Sequence, residues 1–307
     1  MQKIKSNSIR GFIEDERCRF RSIKSEGKRV VIRLSERCNL KCPHCLVGSR
    51  ISTKELSLND WKKILAELPL INTRKVLLTG GEPLLHNEII KITEFITQMG
   101  IPVDLNSNMQ LMTPQMIKDF KYAGLTEISV SIEGPEAIHD LMHGKKGAFT
   151  QLVNAIYWAV DENIPVDAAC CITSQNIDYI WDLLELIQEL PLESFTFARL
   201  LPVGHGYKAT NDTLSQDTYT RLYEEIKNRW ISKSKFPIRL VGLLGFPNKE
   251  DCQMGKGIIG IRPNGAIEAC VLSVEQNTAK HPFESGLKSS VDELLNKIAH
   301  NNCKMCY

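Results

Sequence analysis

Six runs rich in β-branched and apolar residues recur along this chain: Arg29 to Leu34, Arg74 to Thr79, Pro102 to Ser107, Thr126 to Ile132, Pro165 to Thr173 and Ser194 to Leu201. Each is followed by an amphipathic helical stretch, and such alternation predicts parallel strands joined by crossover helices. The helices carry their own signals. Leu58, Trp61, Ile64, Leu65 and Leu68 fall on one face behind a Ser57 cap. Thr113-Pro114 opens a helix whose Met116, Ile117 and Phe120 face inward before Gly124 ends it. A third, after Asn176, buries Ile177, Ile180, Trp181, Leu184 and Ile187.

Six βα units are too few to close an eight-stranded barrel, so the expected fold is α/β, a partial (β/α)6 barrel with its chemistry at the strand C-termini. After Gly206 the pattern changes, with one helix carrying Leu222, Tyr223, Ile226 and Trp230, then a Gly-rich, Cys-bearing segment from about Phe246. The expected organisation is an N-terminal extension at 1–28, the barrel at 29–205, a connecting helical segment at 206–250 and a small hairpin-containing domain at 251–307.

Thirty-eight Lys and Arg oppose 36 acids, and a net charge of +2 gives little attraction for nucleic acid or an anionic membrane. The first eighteen residues hold no apolar signal region, and no stretch has the roughly 18 apolar residues of a spanning helix, so a cytoplasmic location is expected. Ten cysteines are many for a reducing compartment, where disulfides are rare, which favours metal ligation over structural bridges.

Directly after the first strand the chain reads Cys38-Asn-Leu-Lys-Cys42-Pro-His-Cys45. Three thiolates at this spacing can hold a [4Fe-4S] cluster with one iron open to an external ligand. They also suit zinc, with His44 or a distant cysteine as fourth ligand. At the end of the second strand stands Thr79-Gly80-Gly81-Glu82-Pro83, where a glycine turn allows close backbone approach and Glu82 can accept from an amine. Together, CxxxCxxC and GGEP resemble the radical S-adenosylmethionine (SAM) superfamily, and the resemblance covers most of the chain.

That resemblance implies that Cys38, Cys42 and Cys45 hold a SAM-binding cluster, and that Gly80, Gly81 and Glu82 contact the methionine half of SAM. Ser107-Asn108-Met109 looks like the family's Thr-Asn-Gly, and Ser131-Ile132-Glu133-Gly134 like its Ser-Leu-Asp-Gly, so Asn108, Ser131 and Glu133 would face the nucleoside. Arg199 lies in Arg-Leu-Leu-Pro-Val-Gly-His-Gly, similar to a segment of the peptide- and tetrapyrrole-modifying branches. The chain departs from the family at His44 for an aromatic residue, Met109 for Gly and His205 for Arg.

Cys252 and Cys270 flank a stretch, Ile259 to Ile267, that reads as a hairpin turning at Pro263-Asn264-Gly265, and the chain closes with Cys303-Lys-Met-Cys306. Four thiolates so arranged can hold a cluster or a structural zinc. Beside the first motif they resemble the SPASM and twitch accessory domains, which implies an auxiliary [4Fe-4S] cluster working in electron transfer.

Adjacent strand residues face opposite ways, so one of Cys170 and Cys171 should face the cavity; an inward thiol, with Cys171 the candidate, could give a hydrogen atom to a substrate radical. The competing reading is two buried apolar thiols. Cys18 has no partner in the sequence. His139, Asp140 and His143 read as a polar loop after the fourth strand, either solvated or contacting substrate.

The expected chemistry is reductive cleavage of SAM to a 5'-deoxyadenosyl radical that takes hydrogen from a substrate, with electrons from an external flavodoxin- or ferredoxin-type donor. The substrate implied by the resemblance is a ribosomally made peptide, cross-linked or epimerised. The residues ahead of the first strand are too few for the leader-binding domain of many such maturases, which keeps in play a small-molecule substrate, for an aminoglycoside-type dehydrogenase or epimerase or a tetrapyrrole side-chain enzyme. A zinc-stabilised binding module is the non-catalytic alternative; it leaves the GGEP turn and the six-strand alternation without a purpose.

Overall fold

The computed structural model of the chain describes residues 27–47, 55–201, 212–244, 257–269 and 286–300. Among the described residues, nine strands form one sheet in the order β7-β6-β5-β4-β3-β2-β1-β8-β9. The six expected strands are β1 (Lys28–Ser35), β2 (Thr73–Gly80), β3 (Val103–Asn106), β4 (Glu127–Ser131), β5 (Val166–Ile172) and β6 (Ser194–Arg199), each paired in parallel with the next. The sheet is open, as a partial barrel requires.

Short helices cover its outer face: α1 (Leu58–Leu65), α2 (Ile89–Thr97), α3 (Pro114–Tyr122), α4 (Glu136–His143), α5 (Ala148–Asp161), α6 (Ile180–Ile187) and α7 (Gln216–Arg229). Ser57 caps α1 by accepting from the Asp60 N–H, and Thr113 caps α3 by accepting from the Met116 N–H. Both satisfy a backbone donor that helix geometry leaves without a partner. Trp61, Ile64 and Leu65 of α1, Ile117 and Phe120 of α3 and Leu183, Leu184 and Ile187 of α6 join the core.

Alternation along the strands separates this core from the inner face. On β5, Val166, Ala168, Cys170 and Ile172 are buried beneath helices, whereas Asp167, Ala169 and Cys171 alternate with them and are partly open.

The sheet extends past the six expected strands at both ends. Strand β7 (Ile238–Val241) pairs in parallel with β6, within the segment expected to be a helical connection. The expected hairpin is β8 (Ile258–Ile261) with β9 (Ile267–Glu268), and β8 pairs in parallel with β1, from Arg29↔Ile258 to Ile32↔Ile261. The hairpin therefore continues the barrel's own sheet. A last helix, α8 (Leu287–His300), packs Leu287 and Val291 into the same core.

The polar loop expected after β4 is corrected to a helix. His139, Asp140 and His143 lie in α4, whose i, i+4 spacing stacks the two imidazoles with centroids 4.1 Å apart on a buried face. Asp140 accepts from the Gly147 and Phe149 N–H groups, so its carboxylate fastens the start of α5.

Candidate active site

The C-terminal ends of β1 to β5 meet at the loop carrying Cys38, Cys42 and Cys45, all of them thiols rather than disulfides. Two backbone bonds clamp this loop to the end of β2: the Gly81 N–H donates to the Ser35 carbonyl and the Glu82 N–H to the Arg37 carbonyl, both at 2.8 Å. The clamp explains the glycines. A Cβ on Gly80 would meet the Ser35 oxygen at 2.3 Å, and one on Gly81 the Arg37 oxygen at 2.2 Å, so only glycine admits this approach of two loops. The structure adds to the expected approach of a ligand a close approach between the two loops themselves.

Glu82 is wholly buried with its carboxylate turned inward. Oε1 accepts from the Leu84 N–H at 3.0 Å and the Ser107 hydroxyl at 2.8 Å, and Oε2 accepts from the Asn108 N–H at 2.8 Å. Burial raises its pKa, and these donors oppose the rise. Glu82 thus ties the ends of β2 and β3 together. Asn108 in turn reaches the cysteine loop, donating to Asn39 Oδ1 at 2.8 Å and lying 3.8 Å from Cys38 Sγ. Met109, at the position where the family has glycine, keeps a left-handed φ of 60° and is buried.

The three thiols act on one another. Burial raises the Cys38 pKa, with Glu82 and Cys45 adding to it, while the Leu40 N–H and Asn108 oppose. Cys42 is pushed up to about 12 by burial, then by Cys45, Glu133 and Cys38. Thiolates held this close in a half-buried loop need a cation to share, and soft sulfur donors select thiophilic metals. The donor set fits a [4Fe-4S] cluster.

On the far side stands Glu133, just beyond β4. Its Oε1 lies 3.2 Å from His44 Nε2, and its Oε2 accepts from the Cys171 N–H at 2.8 Å. Burial works against ionisation, but the His44 charge and hydrogen bond outweigh it and hold the carboxyl below its usual range. Burial likewise works against protonation of His44, and the same partner raises it. The Glu133 backbone is fixed too, its carbonyl accepting from Asn176 Nδ2 at 2.9 Å and its N–H donating to His139 Nδ1 at 3.3 Å.

His139 and His143 complete this side, and burial first, then each other's proximity or that of His44, lowers them to about 3 and about 4. Both are neutral at physiological pH. One nitrogen of His44, one of His143 and Cys42 Sγ lie within 4.8 Å of one another. Sequence reasoning missed His143 as part of this group. An alternating count gives no sign that a histidine on a short helix turns inward, although its i, i+4 spacing from His139 places both on one face.

The remaining expected residues fall around this centre. Ser131 ends β4, level with Ala169 of β5. Cys171 lies on the inner face while Cys170 is buried on the other, and burial and then Glu133 keep both thiols protonated. Arg199 ends β6, donating to Gln216 Oε1 at 2.5 Å with its guanidinium 4.7 Å from the Tyr219 ring centroid. Cys252, Cys270, Cys303 and Cys306, with Cys18 and His205, lie outside the described residues.

Residues 32–187, more than half of the chain, match the family described as the Radical SAM superfamily. The chain belongs to the radical SAM superfamily. This family uses a [4Fe-4S] cluster and SAM, and its matched segment runs from β1 to α6, taking in the cysteine loop, the GGEP turn, Asn108, Glu133 and Cys171. Among curated relatives, the PqqA peptide cyclase of Bradyrhizobium diazoefficiens is 27% identical over 249 residues, covering 78% of this chain and 66% of the relative. An AdoMet-dependent heme synthase of Methanosarcina barkeri is 31% identical over 192 residues, covering 62% and 54%. The chain thus spans about half to two thirds of the length of these relatives. The crystal structure of Streptococcus suis SuiB bound to S-adenosylmethionine superposes with a TM-score of 0.74 at 19% identity, covering 91% of this chain and 69% of that one. SuiB bound to its precursor peptide SuiA gives 0.75, at 19% identity and 91% and 68% coverage. At that identity the likeness shows the fold. Among the described residues no helix is long and apolar enough to cross a membrane.

Proposed function

We propose that this protein cleaves SAM reductively at a [4Fe-4S] cluster held by Cys38, Cys42 and Cys45, and uses the resulting radical to modify a ribosomally synthesised peptide. The observation that carries the chemistry is the convergence of three cysteine thiols at the strand ends, on a loop clamped to the GGEP turn. When bound, the cluster supplies the electron that splits SAM into methionine and a 5'-deoxyadenosyl radical, which takes a hydrogen atom from substrate.

The protein's own residues hold and orient. The turn Gly80-Gly81-Glu82 offers the backbone beside which the amino group of SAM would sit, and Glu82 keeps that turn fixed to β3. Asn108, Ser131, Glu133 and Arg199, at or just beyond the ends of β3, β4 and β6, would face the nucleoside and substrate. Cys252, Cys270, Cys303 and Cys306 would close an auxiliary cluster that exchanges electrons with an external donor of the flavodoxin or ferredoxin type.

A peptide substrate is supported by the names of two similar proteins, the PqqA peptide cyclase and SuiB with its precursor SuiA. The second reading is a tetrapyrrole side-chain enzyme, which the similarity to a heme synthase favours.

The test starts from protein purified and reconstituted without oxygen. Iron and sulfide are counted, and 5'-deoxyadenosine is measured after dithionite reduction in the presence of SAM. About eight irons per chain are expected for two clusters and about four for one. Cys42→Ala should abolish deoxyadenosine release; release at the wild-type rate would remove the ligand assignment. Coexpression with a short reading frame next to the gene then separates the substrates, a mass change or deuterium uptake in that peptide supporting the first reading.

Cys171 is the candidate hydrogen donor if the reaction ends in epimerisation. Its S–H would give a hydrogen atom to the substrate carbon radical, and the thiyl left behind would regain an electron from the external donor and a proton from solvent. Its protonated state and inner-face position support this role. Cys171→Ala should then still form deoxyadenosine but lose the epimerised product, and product formed at the wild-type rate would sink the assignment.

A further inference from the structure

We propose that Cys42, His44 and His143 form a mononuclear zinc site that is filled when the cluster is absent, with Cys42 as the shared ligand, so that zinc and cluster exclude each other. Exclusion rests on the superfamily reading of Cys42; the metal binding does not.

Three observations carry it. First, one donor atom from each of the three side chains lies within 4.8 Å of the other two. Donors on one tetrahedral zinc stand about 3.3–3.6 Å apart, given Zn–N near 2.0–2.1 Å and Zn–S near 2.3 Å, so closure needs about 1 Å of side-chain movement. Second, His143 is only 4% exposed, yet neither Nδ1 nor Nε2 has a hydrogen-bond partner. Burying such a group without a partner is costly, and a bound metal would recover that cost. Third, His44 has a carboxylate on one ring nitrogen and nothing on the other. Glu133 holds its Nε2 at 3.2 Å, while Nδ1 is buried with no hydrogen-bond partner. A carboxylate fixing one ring nitrogen while the other faces a metal is the usual outer sphere of a zinc-bound histidine.

One sulfur and two imidazoles suit zinc and exclude the oxygen-seeking magnesium and calcium. Three protein ligands leave a fourth position for water. Only His143 lies outside the cysteine loop, so zinc here would fasten that loop to the C-terminal end of α4.

Cobalt serves as the coloured probe for zinc. The full-length chain, stripped of iron under anaerobic conditions, is titrated with Co2+ and its visible and thiolate charge-transfer bands are followed, then competed with Zn2+. The C-terminal cysteines contribute equally to every variant, so differences report this site. His143→Phe, which keeps an aromatic ring against His139, should weaken cobalt binding at this site by more than about 100-fold, and Glu133→Gln by about 10–100-fold. Cys45→Ala should keep the cobalt bands and lose the reconstituted cluster, whereas His143→Phe should assemble the cluster and lose the bands. Zinc added before iron and sulfide should slow cluster assembly in the wild type and not in His143→Phe.

Retention of the cobalt bands by His143→Phe, or their loss in Cys45→Ala with far-ultraviolet dichroism intact, would overturn the site. Assembly at the same rate with and without zinc would overturn the exclusion. A wild type that binds cobalt here but never assembles a cluster would support the metal site, overturn the exclusion and sink the proposed SAM cleavage.

Discussion

Gly81 shows how much one missing methyl group decides. Its Cβ position is 2.2 Å from the Arg37 carbonyl oxygen and 2.7 Å from the carbonyl carbon, atoms of backbone that cannot rotate away. Gly81→Ala must therefore push the cysteine loop off β2, weakening the bonds from Gly81 N to Ser35 O and from Glu82 N to Arg37 O. Overpacking of this kind costs about 1–3 kcal/mol, and because the displaced segment bears Cys38, iron retention should fall with stability. The check is iron per chain after reconstitution beside a thermal melt; wild-type iron content at an unchanged Tm would show that the loops are not locked together. Met109 illustrates the opposite balance. A left-handed φ costs a non-glycine residue roughly 1–2 kcal/mol, less than the 2–5 kcal/mol that a buried methionine side chain typically stands for. The departure from glycine is therefore affordable because the side chain fills the core.

At the scale of elements, strand register assembles a charged belt across the inner face near the strand N-terminal ends. Asp104 of β3 lies 3.3 Å from Arg29 of β1 and 2.6 Å from Lys75 of β2, with Glu127 of β4 beside it in register and Asp167 on β5. Burial, then Asp167 and Asp104, push Glu127 up to about 7 from an ordinary 4.5, with Lys75 opposing. An acid whose folded pKa is raised contributes stability that is complete below the unfolded value and lost as pH rises through the folded one. The wild type should thus lose stability between pH 4.5 and 7 through this residue. Glu127→Gln should flatten that slope, modestly because the site is partly solvated. Urea unfolding of metal-free protein at several pH values reads it directly, and parallel slopes for the two proteins would contradict the assignment. The six strands and the helix caps at Ser57 and Thr113 were legible because alternation and capping are local signals. The pairing of β8 with β1 was not, since a four-residue apolar strand does not name a partner more than two hundred residues away. Nor was α4, whose eight residues include two histidines and an aspartate that hydropathy counts as exposed, although tertiary packing buries both imidazoles. The three-cysteine motif was legible for the same reason as the caps; the side chain facing it from α4 was not.

For the whole molecule, the question is whether the C-terminal segment is a separable unit or part of the barrel. Strand β8 covers the edge of β1 over four paired residues, and Ile259, Ile261, Ile267, Leu287 and Val291 belong to the same buried core as the helices over β1 and β2. Two polar ties reinforce the contact. Arg33 of β1, 2% exposed, donates to Glu268 Oε2 at 2.7 Å, and Glu67 near α1 accepts from the Leu287 N–H at 2.7 Å. Ending the chain at residue 250 would strip β1 of its neighbour on that edge and remove the Glu268 carboxylate along with the hairpin; removing that carboxylate alone, with the hairpin still in place over Arg33, is a loss of about 3–5 kcal/mol at most. That is a large part of the 5–15 kcal/mol by which domains are usually stable, so the truncated chain should aggregate or melt far below the full one. Glu268→Ala in the full chain isolates the ion pair from the lost strand and should lower stability by part of that amount. In the intact protein, tryptophan fluorescence, which reports only on Trp61, Trp158, Trp181 and Trp230, should change together with far-ultraviolet dichroism in one transition. A chain ending at residue 250 that melts at the full-length temperature would show that the hairpin rests on the barrel without supporting it. The hairpin would then be a detachable unit rather than part of the sheet that presents Cys38, Cys42 and Cys45.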